Sequence, residues 1–118
     1  QIEGVEEPQK EITVELINKF FPGTWRLQSN NETVSITFNS NGTVFGSGTT
    51  WKNGSRVTAT LSGTWRLNGT EVETDLMKTR TIDGQTKTVR NLEKTRFIEL
   101  GPSKMIVDDG FEVEIWVK

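Results

Sequence analysis

At 118 residues with a hydrophobic content of 32%, the chain can bury one core and no more, and four Trp and six Phe must supply much of its bulk. Basic and acidic residues nearly balance at 14 and 16, for a net charge of -2, so nothing in the charge attracts a polyanion and nucleic acid is not an expected partner. Cys and His are absent, and so is Tyr, which removes disulfides, thiolate chemistry and the commonest general base and metal ligand.

Residues Gln1 to Lys10 carry Glu3, Glu6, Glu7 and Pro8 without an apolar period and read as a flexible acidic leader of residues 1–10, ahead of a single domain over residues 11–118. The start at Gln1 suggests a trimmed chain, with an export signal or a lipid anchor upstream of Gln1 as one origin. No apolar run is long enough to span a bilayer, so no transmembrane segment is expected. From Glu11 to Phe21 the residues Ile12, Val14, Ile17, Phe20 and Phe21 recur at spacings of two to four, which predicts a short helix that Pro22-Gly23 ends.

From Trp25 onward the period is two. Val34, Ile36 and Phe38 alternate with Thr33, Ser35 and Thr37, and Asn39-Ser40-Asn41-Gly42 turns the chain. On the returning strand Thr43, Phe45, Thr49 and Trp51 are assigned to the inner face, with Gly46 and Gly48 allowing a bend. After Asn53-Gly54 comes the cleanest alternation, with Val57, Ala59, Leu61, Gly63, Trp65 and Leu67 on one face. Asn68-Gly69, Asp83-Gly84 and Asp109-Gly110 mark three further hairpins, and Gly101-Pro102-Ser103 a connection. Arg96, Ile98 and Leu100 are assigned to one face, Asn91 is a candidate bulge, and Trp116 is expected to point outward or toward the helix. About eight strands joined by short turns predict an all-β fold, an antiparallel up-and-down barrel with one short N-terminal helix, closed so that no sheet edge is left exposed.

Gly23-Thr24-Trp25-Arg26-Leu27-Gln28 is nearly repeated as Gly63-Thr64-Trp65-Arg66-Leu67-Asn68, as if two strands met the same local demand for a close neighbour and an inward ring. With the short helix, Gly23-x-Trp25 at the first strand and Ile36-Thr37-Phe38-Asn39-Ser40-Asn41-Gly42-Thr43, the chain from Ile12 onward resembles the lipocalin-like superfamily, above all small bacterial lipocalin-like domains of exported proteins and envelope lipoproteins. That resemblance implies a secreted, periplasmic or cell-envelope protein with a ligand in the barrel. It also implies that Trp25 closes the barrel floor under a basic residue, for which Arg96 and Lys118 are candidates.

Chemistry would have to run on carboxylates, Lys or Ser, and an enzyme is not expected; nor is a cofactor or a metal. Asp108-Asp109-Gly110 could be imagined around calcium or as an acid-base pair, but hairpin chemistry is the simpler account. Glu71, Glu73 and Asp75 fall on an outer face; the basic cluster Lys78, Arg80, Lys87, Arg90, Lys94 and Arg96 could receive an anionic headgroup or an acidic partner, although charges on a hairpin are mostly solvated face and edge protection. The ligand-binding candidates are Phe38, Phe45, Trp51, Trp65 and Leu76 for apolar contact, with Arg80 or Arg96 meeting a polar or anionic end. The expected role is a non-enzymatic barrel binding a small apolar or amphipathic ligand. The other possibility is a protein-interaction module with a filled core, such as a protease inhibitor or an envelope-assembly accessory engaging an envelope protein partner.

Overall fold

A computed structural model describes residues 11–118; the acidic leader lies outside the described residues. The helix α1 runs over Val14–Phe20, shorter than the periodicity suggests, because Thr13 caps it: the Thr13 hydroxyl accepts the Leu16 N–H at 3.1 Å and leaves Glu11 and Ile12 outside. The strands that follow are β1 (Gly23–Leu27), β2 (Glu32–Phe38), β3 (Thr43–Lys52), β4 (Ser55–Asn68), β5 (Glu71–Ile82), β6 (Gln85–Leu100), β7 (Lys104–Asp108) and β8 (Val113–Val117). Each pairs antiparallel with its neighbour in sequence, and β8 closes on β1 through Arg26 opposite Val117 and Leu27 opposite Trp116, so the expected up-and-down barrel is present.

The strands differ threefold in length, and this shapes the molecule. The five-residue strands β1, β7 and β8 make a short wall, whereas β3 to β6 run past it, giving a body 63 Å long. Only Arg96 to Leu100 of β6 pair with β7, so among the described residues, 85–95 of β6 form an unpaired edge on a projecting ribbon. The ribbon turns at Asn53-Gly54 and Asp83-Gly84, where Asn53 (φ 53°) and Asp83 (φ 52°) precede Gly54 (φ 82°) and Gly84 (φ 80°), the two consecutive positive φ angles that a two-residue hairpin with matching twist requires.

The core lies at the end where α1 docks. Ile17, Phe21, Trp25, Trp65, Val72, Phe97 and Trp116 are buried there, with Phe21 meeting Phe38, Trp65 and Phe97 at ring-centroid distances of 4.3, 5.1 and 5.3 Å. The repeated Gly-Thr-Trp motif has one role twice. The Trp25 indole donates to the Phe21 carbonyl and the Trp65 indole to the Asn39 carbonyl, each at 2.8 Å, so two bulky rings are buried with their N–H groups satisfied. A Cβ on Gly63 would lie 1.9 Å from the Asp75 carbonyl oxygen, so β4 comes against β5 there at a distance only glycine permits.

Three face assignments are corrected. On β3 the inward residues are Val44, Gly46 and Gly48, because Val44 faces Gly63 and Gly46 faces Leu61 across the ladder; Phe45 and Trp51 therefore project outward, 55% and 60% exposed. On β6 the bulge falls between Phe97 and Glu99, not at Asn91; it leaves Arg96 and Ile98 outside and returns Leu100 to the core. Trp116 is buried, packed inward opposite Met105. The outer face of the ribbon carries two complete cross-strand rows of hydroxyls, Thr33-Thr49-Thr58-Thr81-Thr86 and Ser35-Ser47-Thr60-Thr79-Thr88. The Thr81–Thr86 and Thr79–Thr88 hydroxyls bond to each other at 3.0 and 2.9 Å.

Candidate functional site

The barrel floor is fixed by a cation. The Lys118 ammonium sits 4.6 Å from the Trp25 ring centroid and donates to the Phe20 and Pro22 carbonyls at 2.7 and 3.1 Å. It thus joins a cation–π contact to the carbonyls that end α1, where positive charge is favoured. Burial lowers its pKa. Lys118 therefore holds the place that the lipocalin resemblance gives to a basic residue. Arg96 does not: it lies on the outer face, with its guanidinium 2.9 Å from Asp108.

Above the floor the interior keeps a cavity of about 80 Å³, lined on its apolar side by Phe21, Phe38, Leu76 and Trp116 and on its polar side by Thr74, Glu93, Asp109 and Glu114. That is room for two or three waters at about 30 Å³ each, well below the roughly 300 Å³ at which drug-sized pockets begin. Phe38 and Leu76 thus line a cavity, while Trp65 is core packing that does not reach it. Thr74 is only 8% exposed, and its hydroxyl has no hydrogen-bond partner among the described residues. Glu93 is held by Lys78 at 3.0 Å. The Glu114 carboxyl is pushed up to about 7, first by burial and then by the Asp109 charge, against a smaller opposing pull from the Trp116 indole; Glu112 adds to the rise.

Inward alternation continues past the closed ring onto the concave side of the ribbon. There Val57 faces Ile82, Ala59 faces Arg80, and Lys78 faces Val89. Arg80 faces Lys87 directly, two like charges on one rung of a ladder, an arrangement that costs stability. Among the described residues neither has a carboxylate partner, whereas Lys78, Arg66, Arg90 and Arg96 are all paired. The trough spans about 780 Å³ around Ala59, Lys78, Arg80, Ile82, Lys87 and Val89, and a second depression of about 430 Å³ continues it past Val57 to Trp51.

Of the sequence candidates, then, Arg80 and Trp51 border the trough, Phe38 and Leu76 border the inner cavity, Trp65 is in the core, and Phe45 and Arg96 are on the outer wall. The structure does not bring them into one site. Lys87, a member of the basic cluster noted in the sequence, stands in the trough, and Thr74, Glu93 and Glu114, which were not singled out for binding, stand at the cavity. Parity marks them, since Glu114 is two residues before the inward Trp116 and Lys87 two before Val89. Comparisons of the chain with family models, with curated proteins and with solved structures each find no match.

Proposed function

We propose that the protein is a non-enzymatic binding protein for an amphipathic molecule with an anionic end, seated in the ribbon trough at the barrel mouth instead of in the interior. The observation that carries this is the Arg80–Lys87 rung: two cations without a carboxylate partner among the described residues, held side by side on a face otherwise lined by Val57, Ala59, Ile82 and Val89. An acyl or other apolar tail matches the floor, and an anionic head relieves the repulsion between the cations. Export to the cell envelope belongs to the same proposal and is supported by the sequence resemblance alone.

The test is a fluorescence titration with a straight-chain fatty acid and its methyl ester. Trp51, exposed at the lip, should report the acid by a change in emission, with weaker binding of the ester. Arg80→Glu and Lys87→Glu should each weaken binding of the acid at least tenfold, about 1.4 kcal/mol. Emission that stays flat for both compounds, or an Arg80→Glu variant that binds the acid as the parent does, rules the trough out.

The small interior volume and the free edge of β6 over residues 85–95 favour a second reading, a protein-interaction module that takes up a strand from its partner. Removing residues 1–10 separates two forms of it: an inhibitor that inserts its leader loses its effect, while trough binding and edge pairing survive.

A further inference from the structure

Along residues 85–95, one side of β6 has no ladder among the described residues. The turn fixes which backbone groups are left over. Ile82 and Gln85 face each other across the two-residue hairpin and exchange both hydrogen bonds, and in an antiparallel pair bonded and non-bonded rungs alternate. Odd-numbered residues of β6 therefore give their N–H and C=O groups to β5, while Thr86, Thr88, Arg90, Leu92 and Lys94 direct theirs away. The row stops at Arg96, where β7 takes over through Asp108.

The ribbon's other edge is far shorter, since only Glu32 to Val34 of β2 extend past β1. Head-to-tail pairing of copies would leave most of the β6 edge bare, whereas the same edge on a second copy matches it in length. Two identical strands related by a two-fold axis pair antiparallel, with one residue opposite itself on the axis. Only an axis at Arg90 uses all of residues 85–95. One residue toward Leu92, Gln85 of one copy runs into the place where β7 already pairs with Phe97 of the other; one residue toward Thr88, Lys94 and Thr95 stay bare.

That register also sorts the side chains. Lys87 falls opposite the partner's Glu93, twice by symmetry, on the non-bonded rungs where side chains come closest. Lys87 has no carboxylate partner among the described residues and faces Arg80, so pairing relieves a like-charge rung as it forms. Thr88 meets the partner's Leu92, a side chain 71% exposed in the single copy. Arg90 meets the partner's Arg90, but each guanidinium is already held by its own Asp75 at 2.9 and 2.7 Å, so the central rung joins two neutralised pairs.

We infer that two copies of this protein join β6 to β6 about a two-fold axis at Arg90, making one continuous ribbon. This names the partner of the free edge and rests on the edge-pairing reading above; Arg80 is not used and stays available to an anionic head.

Sedimentation from micromolar to millimolar chain concentration should show a reversible monomer–dimer equilibrium that added salt weakens. Leu92→Pro removes a donor that only the dimer uses, at an edge position that accepts proline, so it should sediment as a monomer with the parent's circular dichroism spectrum. Lys87→Glu and Glu93→Lys should each weaken the dimer about tenfold, because like charges then face each other on both rungs, and an equimolar mixture of the two should restore it. A parent that stays monomeric, a folded Leu92→Pro that dimerises like the parent, or a mixture no better than its components would overturn the inference. Amide exchange separates it from the edge-pairing reading. Protection of the Thr88 and Leu92 N–H groups that grows with concentration supports the dimer; none at any concentration overturns the dimer alone; equal protection of a monomer at every dilution means that the edge is already covered, and both fail.

Discussion

The floor and the ribbon are built by the same alternation on the same strands, yet they are opposite materials. Near α1 the inward positions are Val44, Trp65, Val72, Phe97 and Trp116, sealed by Lys118; farther along, the inward positions become Ala59, Lys78, Arg80 and Lys87, open to water on one side. An inward position is therefore not a buried one. It is buried only while β1, β7 and β8 stand opposite, and these strands end after five residues. Stability is concentrated where the ring is closed, and the open half is free to carry charges that a core would reject.

The sharpest way to break this contrast is to change one residue type in both halves. Trp25→Ala should cost about 3–5 kcal/mol, since it empties a site of 0% exposure and removes both the bond to Phe21 and the platform for Lys118, whereas Trp51→Ala should stay within about 0.5 kcal/mol. Urea unfolding of the pair measures the difference, and similar midpoints would mean that the floor is not where the stability lies. Next comes Gly63→Ala, which drives a methyl into the Asp75 carbonyl and should cost about 1–3 kcal/mol. By the same melts, Gly101→Ala, whose new Cβ would come no closer than 3.7 Å to the Lys104 carbonyl oxygen, should cost less than about 1 kcal/mol.

The smallest effect is one of pH, and it has opposite signs on the two sides of the wall. Inside, Glu114 holds its proton up to about 7, above its value of 4.5 in an unfolded chain, so its contribution to stability is complete below that unfolded value and is lost as pH rises through about 7. Its solvent-facing half reduces this to the order of 1 kcal/mol. Outside, the Arg90 guanidinium holds the Asp75 carboxyl below its usual range, as the Gly110 N–H and then Arg96 do for Asp108; what these groups add is present above their unfolded pKa values and lost as pH falls. Urea midpoints should decline from pH 5 to pH 8 in the parent and stay level in Glu114→Gln. A parent that is flat over that range would show that Glu114 is not buried as described.

Most of the barrel was legible in the chain because turn and strand signals agreed: Asn-Gly and Asp-Gly fell between alternating runs, and short links force neighbouring strands to pair. The face of β3 is illegible in the sequence because large rings at Phe45 and Trp51 suggest the inner face, which glycines occupy instead. Gly46 and Gly48 are the inward residues, facing Leu61 and Ala59, and the small side-chain space they leave is what β3 contributes to the interior. The bulge at Phe97 and Glu99 has no local mark, since the shift is imposed by pairing with β7. The candidate sites were less legible still. Arg80 and Lys87 meet only because β5 and β6 pair in that register, and Glu114 reads as an ordinary hairpin residue until the fold places it on the inner cavity.

The two hydroxyl rows have a consequence for how the strands find one another. Sliding one ribbon strand by two residues past its neighbour would still bring a hydroxyl opposite a hydroxyl at about half of the rungs of these rows, so the water-facing side only weakly distinguishes the true alignment from its nearest error. Fidelity must come from elsewhere, from the tight bends at Asn53-Gly54 and Asp83-Gly84 and from Gly63, the one place on β4 where the Asp75 carbonyl can be received. Lengthening either bend by a residue would leave the outer surface chemically almost unchanged while erasing the information that sets the ladder.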